Sequence, residues 1–507
     1  IYQQRQDAVV DAFLWAWKGY KTYAWGQDEL KPISKSSQNW LGLGLTLVDS
    51  LDTMWLMGLH DEFAEAQEWV ENELSFDKDV EVNFFETTIR VLGGLLSGQI
   101  LPQRRGDPIL LLLYHNLILA LQAFHLSSML SSDCGAPASP ASSFTILPKK
   151  ARPPEWGALQ PSEVSSVQLE FRYLARLTGN ATFPGGGRAA MGALGGWGQQ
   201  RVLNFRLVPF GVGGRAGEFP AAHGGGGGNG HGVLTLGARA DSYYEYLLKQ
   251  WLASGRDPGD AGLRDQATHT SARQASLSAP TAGIVWMRVS SWPFLAFAFL
   301  IPRQPMVPHP KPRQVLFPPG TLALGHRAGL GPSTGAGGGR AGGEGCHLEL
   351  AVGLLDTCLR MYNATATRLS PEIACFETSD SGFDPSDQPL ALLIKPGDAH
   401  NILRPETVES LYYLYKMTGE PYYQEAGWAI FCAFEKHTRV DGTGGYAGLK
   451  DIDRPPAQGG ERIDKMESFF LAETLKYFFL LFADPDEEDV LPLDEFVFNT
   501  EAHPLPI

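Results

Sequence analysis

The chain has 507 residues, a net charge of -15 and a pI of about 5.3. That acidity excludes a general nucleic-acid binder, whose phosphate contacts need a basic surface. The length permits one large barrel or several ordinary domains, and an apolar content of 44% supplies a core.

In chain order, residues 5–23 carry apolar positions at helical spacing and predict an amphipathic helix. HDEFAEAQEWVENEL (60–74) predicts a second. FFETTIR (84–90) places Glu86 and Arg90 one helical turn apart on one face. The run 109–130 is apolar enough to suggest a membrane span, but Tyr114, His115, Asn116, Gln122 and His125 would be costly in lipid. A buried or mispredicted segment is the expectation there. YLARLTGNATF (173–183) and the segment 412–423 share a pattern: an apolar helix end, Thr-Gly, a polar turn, then an aromatic. The Gly stops one helix in the left-handed position and the next begins at once. The recurrence predicts repeated helical hairpins, and strand alternation is scarce. An all-α architecture follows, its paired helices able to close into a ring.

Between these segments lie stretches without helical period. Residues 184–232 and 326–346 are rich in Gly, 288–316 includes a Pro-rich basic run, and 98–153 passes from apolar to Ser, Ala and Pro. Long structureless loops are improbable inside a compact fold, and the Gly-rich stretches are expected to lower stability and to attract proteases within 184–232 and 326–345. They also fit imperfect gene-model translation. The five cysteines (Cys134, Cys346, Cys358, Cys375 and Cys432) form no CxxC, which excludes zinc-ribbon and thioredoxin readings. Sequons at Asn180 and Asn363 permit N-glycosylation.

Seven acidic residues stand in apolar or aromatic contexts where a lone charge is costly: Glu86, Glu163 in SEVSSVQLEF, Asp241 in GARADSYYEYLLKQW, Glu406 and Glu409 in RPETVES, Glu467 in DKMESFF, and Glu501 in the tail FNTEAHPLPI. Arg90, Arg239 and Arg404 lie close to them in sequence. A single such carboxylate is usually an N-cap or a surface charge. Several together, with arginines, can keep one acid protonated and another ionised near neutral pH. Thr500 can offer a hard cation both a hydroxyl and a carbonyl oxygen, which Ca2+ accepts together with waters.

The peptides LGLGLTLVDSLDTMWLMGL (41–59), GARADSYYEYLLKQW (237–251), LRPETVESLYYLY (403–415), DKMESFFLAETLKYFFLLF (464–482) and FNTEAHPLPI (498–507) resemble the class I α-1,2-mannosidases, glycoside hydrolase family 47. The resemblance covers most of the chain in five blocks. It implies an (α/α)7 barrel forming one catalytic domain over 1–507, with the C-terminal tail entering the barrel. It implies inverting hydrolysis of terminal α-1,2-linked mannose from oligomannose N-glycans, in glycoprotein processing and quality control. Inversion needs two carboxyl groups roughly 6.5–9.5 Å apart, with a water between.

Carried over residue by residue, Thr500 would bind Ca2+, Glu86 and Asp241 would serve the acid side, and Glu406 would be the base that activates water. Glu163, Glu409, Glu467 and Glu501, with Arg90, Arg239 and Arg404, would hold sugar hydroxyls and calcium-bound waters. Arg239 resembles the endoplasmic-reticulum type. The implied setting is the endoplasmic-reticulum lumen or early Golgi, with a type II membrane anchor ahead of the chain, a monomeric state and no nucleic-acid partner.

Two departures stand out. The family has an active-site His and a cysteine where KPRQVL (311–316) stands here, so Leu316 replaces the implied disulfide partner of Cys358. An active calcium-dependent mannosidase and an inactive, lectin-like or defective oligomannose binder both remain open. A helical scaffold for protein contacts would leave the dispersed carboxylates unexplained.

Overall fold

Val9, Phe13, Ala16, Trp17 and Tyr20 recur at helical spacing, and the chain forms a helix over Tyr2–Tyr23 that buries this stripe. The computed structural model describes residues 1–76, 78, 80–103, 143–146, 166–178, 241–256, 286–289, 292–295, 319–329, 347–376, 392–487 and 489–507. The second expected helix is also present, over His60–Asn72. The stretch 184–232 and the run 109–130 lie outside the described residues, as does Asn180, and only short pieces of 98–153, 288–316 and 326–346 fall within them. Asn363 ends the helix His347–Asn363 and is exposed.

The hairpin pattern holds at 412–423. The helix Glu406–Thr418 stops at Gly419, whose φ of 69° is left-handed and whose N–H bonds back to the Tyr415 carbonyl. The next helix, Pro421–Thr438, opens on a proline, whose missing N–H costs nothing in a first turn. At 173–183 only the first half can be followed, as the end of the helix Gln168–Thr178.

Among the described residues, strands are short and paired in twos, all antiparallel. Two pairs bear on the site. Glu29–Lys31 pairs with Ser36–Gln38, and this hairpin is tied to the segment before Glu467 by the Met466 N–H donating to the Leu30 carbonyl at 2.9 Å. Phe496–Phe498 pairs with Pro504–Pro506, with Phe498 opposite Pro504. The tail is therefore a hairpin whose tip is 499–503.

That hairpin is anchored by aromatic packing. The Phe498 ring lies 5.7 Å from Tyr477, 6.1 Å from Tyr412 and 6.5 Å from Tyr413, centroid to centroid. Such contacts add roughly 0.5–1.5 kcal/mol beyond the area buried. All four rings are fully or almost fully buried. The tail is thus part of the core rather than a loose end.

Cys358 is a buried free thiol, which burial pushes up to about 12, and Cys432 is an exposed one. Among the described residues no helix is long and apolar enough to cross a membrane.

Candidate functional site

Local backbone chemistry sets the first half of the site. The Asp28 carboxylate accepts N–H bonds from Trp40, Leu41, Gly42, Leu43 and Leu45, between 2.6 and 3.2 Å. A carboxylate so bonded fixes the loop that launches the short helix Leu45–Asp49. Asp49 then stands wholly buried at the helix end.

Glu86 and Arg90 fulfil their sequence spacing with an irregularity. The helix running from Phe84 loosens into a π-helical turn over Thr87–Leu92 before Gly93–Gln103 resumes. Such turns mark functional positions often enough to be noted. Arg90 Nε still donates to Glu86 Oε2 at 2.7 Å. Its Nη1 donates to Ser468 Oγ at 3.2 Å, bonds Glu501 and lies 3.6 Å from Asp49. Burial alone would lower the Arg90 pKa, but Glu501, Glu86 and Asp49 raise it well above its ordinary value.

The second half comes from the helix Glu406–Thr418. Ahead of it, Leu403 is held at φ 72°, an uncommon left-handed conformation for a branched side chain. Its N–H donates to Asn401 Oδ1 at 3.0 Å and its carbonyl accepts from Thr474 Oγ1 at 2.8 Å, which pin the strained residue. Arg404 follows, donating to Glu372 at 2.8 and 3.0 Å and lying 3.5 Å from Glu406. The Phe469 ring sits 5.8 Å from both the Arg90 and the Arg404 guanidinium carbons, so one aromatic spans two cations.

Glu409, one turn into the same helix, accepts from the Tyr477 hydroxyl at 3.3 Å and lies 3.9 Å from the buried Lys249 ammonium. Burial, with the charges of Glu245 and Glu406 against that of Lys249, pushes its carboxyl up to about 8. Glu467 pairs with Lys465 at 2.8 Å, and Lys465 also reaches Glu29 at 3.1 Å.

The tail supplies the rest. Thr500 occupies the half-buried hairpin tip, its N–H donating to the Tyr246 hydroxyl at 3.3 Å. Glu501 is buried, and its carboxyl is raised well above the usual range by burial and by the charges of Glu473, Asp49 and Glu86, against the opposing pull of Arg90. Glu473 is raised in the same way by burial, Glu406, Glu409 and Asp49. The structure thus brings Glu86, Arg90, Arg404, Glu406, Glu409, Glu467 and Glu501 into one electrostatically coupled region with the Thr500 tip. Asp241 opens the helix Asp241–Ala253, but its side chain lies outside the described residues, as do Glu163 and Arg239.

Several residues of this region were not singled out from the sequence. Glu170, rather than its neighbour Glu163, is the described carboxylate of that segment at the tail: it accepts from Tyr246 at 2.7 Å and from Asn499 at 2.8 Å. Glu473, Asp49, Asp52, Lys476 and His503 are likewise buried here. A charge inside a long apolar run was the available signal.

The donor set can be tested against a cation. Among the described residues, no three His, Cys, Asp or Glu side chains form a metal-holding cluster. Thr500 stands at the tip of the hairpin, next in sequence to Glu501, whose carboxyl is raised by burial and by the charge of Glu473. Both His503 ring nitrogens are engaged with aspartates. Neutral oxygens backed by excess negative charge suit a hard, oxygen-seeking ion such as Ca2+.

Comparison with known proteins bears on these observations. The pattern of Glycosyl hydrolase family 47 matches residues 12–507. The chain is 43% identical, over 508 residues, to the human protein named endoplasmic reticulum mannosyl-oligosaccharide 1,2-alpha-mannosidase, covering 99% of this chain and 64% of that protein. The Schizosaccharomyces pombe protein of the same name is 35% identical over 511 residues, covering 99% of this chain and 89% of that one. The solved structure of an alpha-1,2-mannosidase from Trichoderma reesei superposes with a TM-score of 0.76 at 25% identity, covering 100% of this chain and 99% of that chain. The paired helices are those of an (α/α)7 barrel. With the matched residues running from the first helix to the final Ile507, the chain belongs to glycosyl hydrolase family 47.

Proposed function

We propose that this chain hydrolyses terminal α-1,2-linked mannose from oligomannose N-glycans, with inversion and dependence on Ca2+, in glycoprotein processing and quality control. The observation that carries the reading is the convergence of Glu86, Glu406 and the Thr500–Glu501 tip, from three distant stretches of sequence, on Arg90 and Glu473. The names of the relatives support the substrate class. The setting proposed is the endoplasmic-reticulum lumen, with a type II anchor ahead of this chain and a monomeric protein.

Thr500 would hold the ion through its hydroxyl and carbonyl, waters completing the shell. The bound ion would supply a hard charge that fixes sugar hydroxyls. Glu406, at the first position of its helix beside Arg404, takes the proton from the attacking water. Glu86 and Asp241 serve the departing oxygen. The Arg90–Glu86 bond holds the Glu86 carboxylate in place at 2.7 Å. Glu409, with its raised carboxyl, can donate as well as accept toward a sugar hydroxyl near neutral pH.

The test is proton NMR of an oligomannose glycan during digestion. Inversion requires β-mannose as the first anomer released. Release of α-mannose first would replace the base role of Glu406 with that of a nucleophile, and binding without release would favour the lectin-like reading.

A further inference from the structure

The tail tip carries one buried ionisable side chain that the proposed chemistry does not use. His503 has no exposed surface, and neither have Asp49, Asp52 and Lys476 around it. His503 Nε2 lies 3.1 Å from Asp49 Oδ1 and Nδ1 lies 3.1 Å from Asp52 Oδ2. Each nitrogen therefore faces its own carboxylate. Asp52 also accepts from Lys476 Nζ at 2.8 Å, and Asp49 accepts from Ser468 Oγ at 2.5 Å while Arg90 stands 3.6 Å away. Each ring nitrogen thus meets a carboxylate oxygen, an acceptor, and both contacts are hydrogen bonds only if both nitrogens donate. A neutral imidazole has only one N–H and would leave a buried carboxylate facing a lone pair.

We propose that His503 is an imidazolium bridging Asp49 and Asp52, and that this bridge is what positions the Thr500–Glu501 tip. The inference takes the role of Thr500 from the proposed function. The connection to the tip is short. The His503 N–H donates to Asn499 Oδ1 at 2.8 Å and its carbonyl accepts from the Asn499 N–H at 3.0 Å, closing the turn around Thr500. Ala502 sits at φ 58°, a strained conformation for a residue with a Cβ, and Lys476 holds its carbonyl at 2.7 Å. The ring also fills a space left by small residues. A Cβ on Gly93 would come within 2.7 Å of the His503 ring and of the Asn499 amide.

The groups facing the ring are Asp49, Asp52, the Ser97 hydroxyl at 3.3 Å from Nδ1, Lys476 and the charge of Glu170. Burial alone would lower the imidazole pKa. Asp52 and the two carboxylate bonds outweigh it and leave it raised. His503 is thus a positioning residue acting through Asn499 and Ala502.

Two measurements on the full chain test this. Ring nitrogen-15 shifts of labelled histidine, assigned by the signal lost in His503→Gln, should show both nitrogens of His503 still protonated at a pH where free histidine has lost its proton. One unprotonated nitrogen there would overturn the bridge. If the variant does not fold, the wild-type spectrum still contains a doubly protonated ring or lacks one. In the folded variant, amide exchange in the peptide 499–507, measured in chelator, should accelerate, and calorimetric Ca2+ affinity should fall by about tenfold or more. Unchanged exchange in that peptide would overturn the positioning role. Failure of the wild type to take up Ca2+ would instead defeat the proposed function, while the nitrogen shifts would still decide the bridge and exchange in chelator its positioning role.

Discussion

Arg90 and Glu501, 411 positions apart in sequence, meet in an ion pair, Glu501 buried and Arg90 largely so, that locks the π-helical turn of one segment to the C-terminal hairpin. Arg90 is the common partner of Glu86 and Glu501, so it ties a proposed acid-side carboxyl to the tail. Removing one member of a buried pair leaves the other charge uncompensated. Arg90→Ala should therefore cost about 3–5 kcal/mol in denaturant unfolding. A loss below about 1 kcal/mol would show that the pair is solvated rather than buried.

Gly93 marks a close approach of the tail to the helix that follows the π-helical turn. Its missing Cβ leaves room for the Asn499 amide and the His503 ring, each 2.7 Å from where that atom would stand. Gly93→Ala should destabilise the fold by about 1–3 kcal/mol despite the better helix propensity of Ala. A melting temperature equal to or above that of the wild type would contradict this packing.

Glu170 gives a pH dependence with a definite sign. Burial raises its carboxyl to about 7, against bonds from Tyr246 and Asn499 that favour the ionised form. A carboxyl whose folded value lies above its unfolded value binds more protons when folded. Its contribution to stability is complete below about 4.5 and is lost as pH rises from there to about 7, with no further loss above. The full effect is at most about 3 kcal/mol, and Glu170→Gln should remove that slope. Urea unfolding of both proteins at several pH values reads it directly, and parallel curves would dismiss the assignment.

The sequence already displayed the elements whose signals are local. Glu86 and Arg90 are one turn apart, and that spacing became a bond of 2.7 Å. Gly419 follows an apolar helix end, and it is the left-handed stop. The tail stood out as a Thr beside a carboxylate in an apolar, proline-bounded peptide, and it is buried. The π-helical turn at Arg90 was hidden, because no local spacing distinguishes it from regular helix. Asp52, Lys476 and His503 were hidden for a different reason. Each lies in an apolar run, but the charge that compensates it comes from a segment hundreds of positions away, as the Asp52–Lys476 separation of 424 illustrates. Glu170 was overlooked because its partners, Tyr246 and Asn499, come from two other distant segments.

Glu406→Gln separates base chemistry from structure. The amide keeps the shape and the bond capacity toward Arg404, so the fold should melt as the wild type does. The expected outcome is a fall in kcat of about 100-fold or more with KM little changed. Near-normal turnover would assign the base elsewhere. A lowered melting temperature with retained turnover would make Glu406 a structural partner of Arg404.

Mannose release from a purified oligomannose glycan, followed in matched samples with Ca2+ and after exhaustive chelation, tests the central claim most directly. The account predicts free mannose from terminal α-1,2 linkages in the first sample, none in the second, and recovery when Ca2+ is restored. Equal release in both samples, with no metal found by elemental analysis, would contradict it.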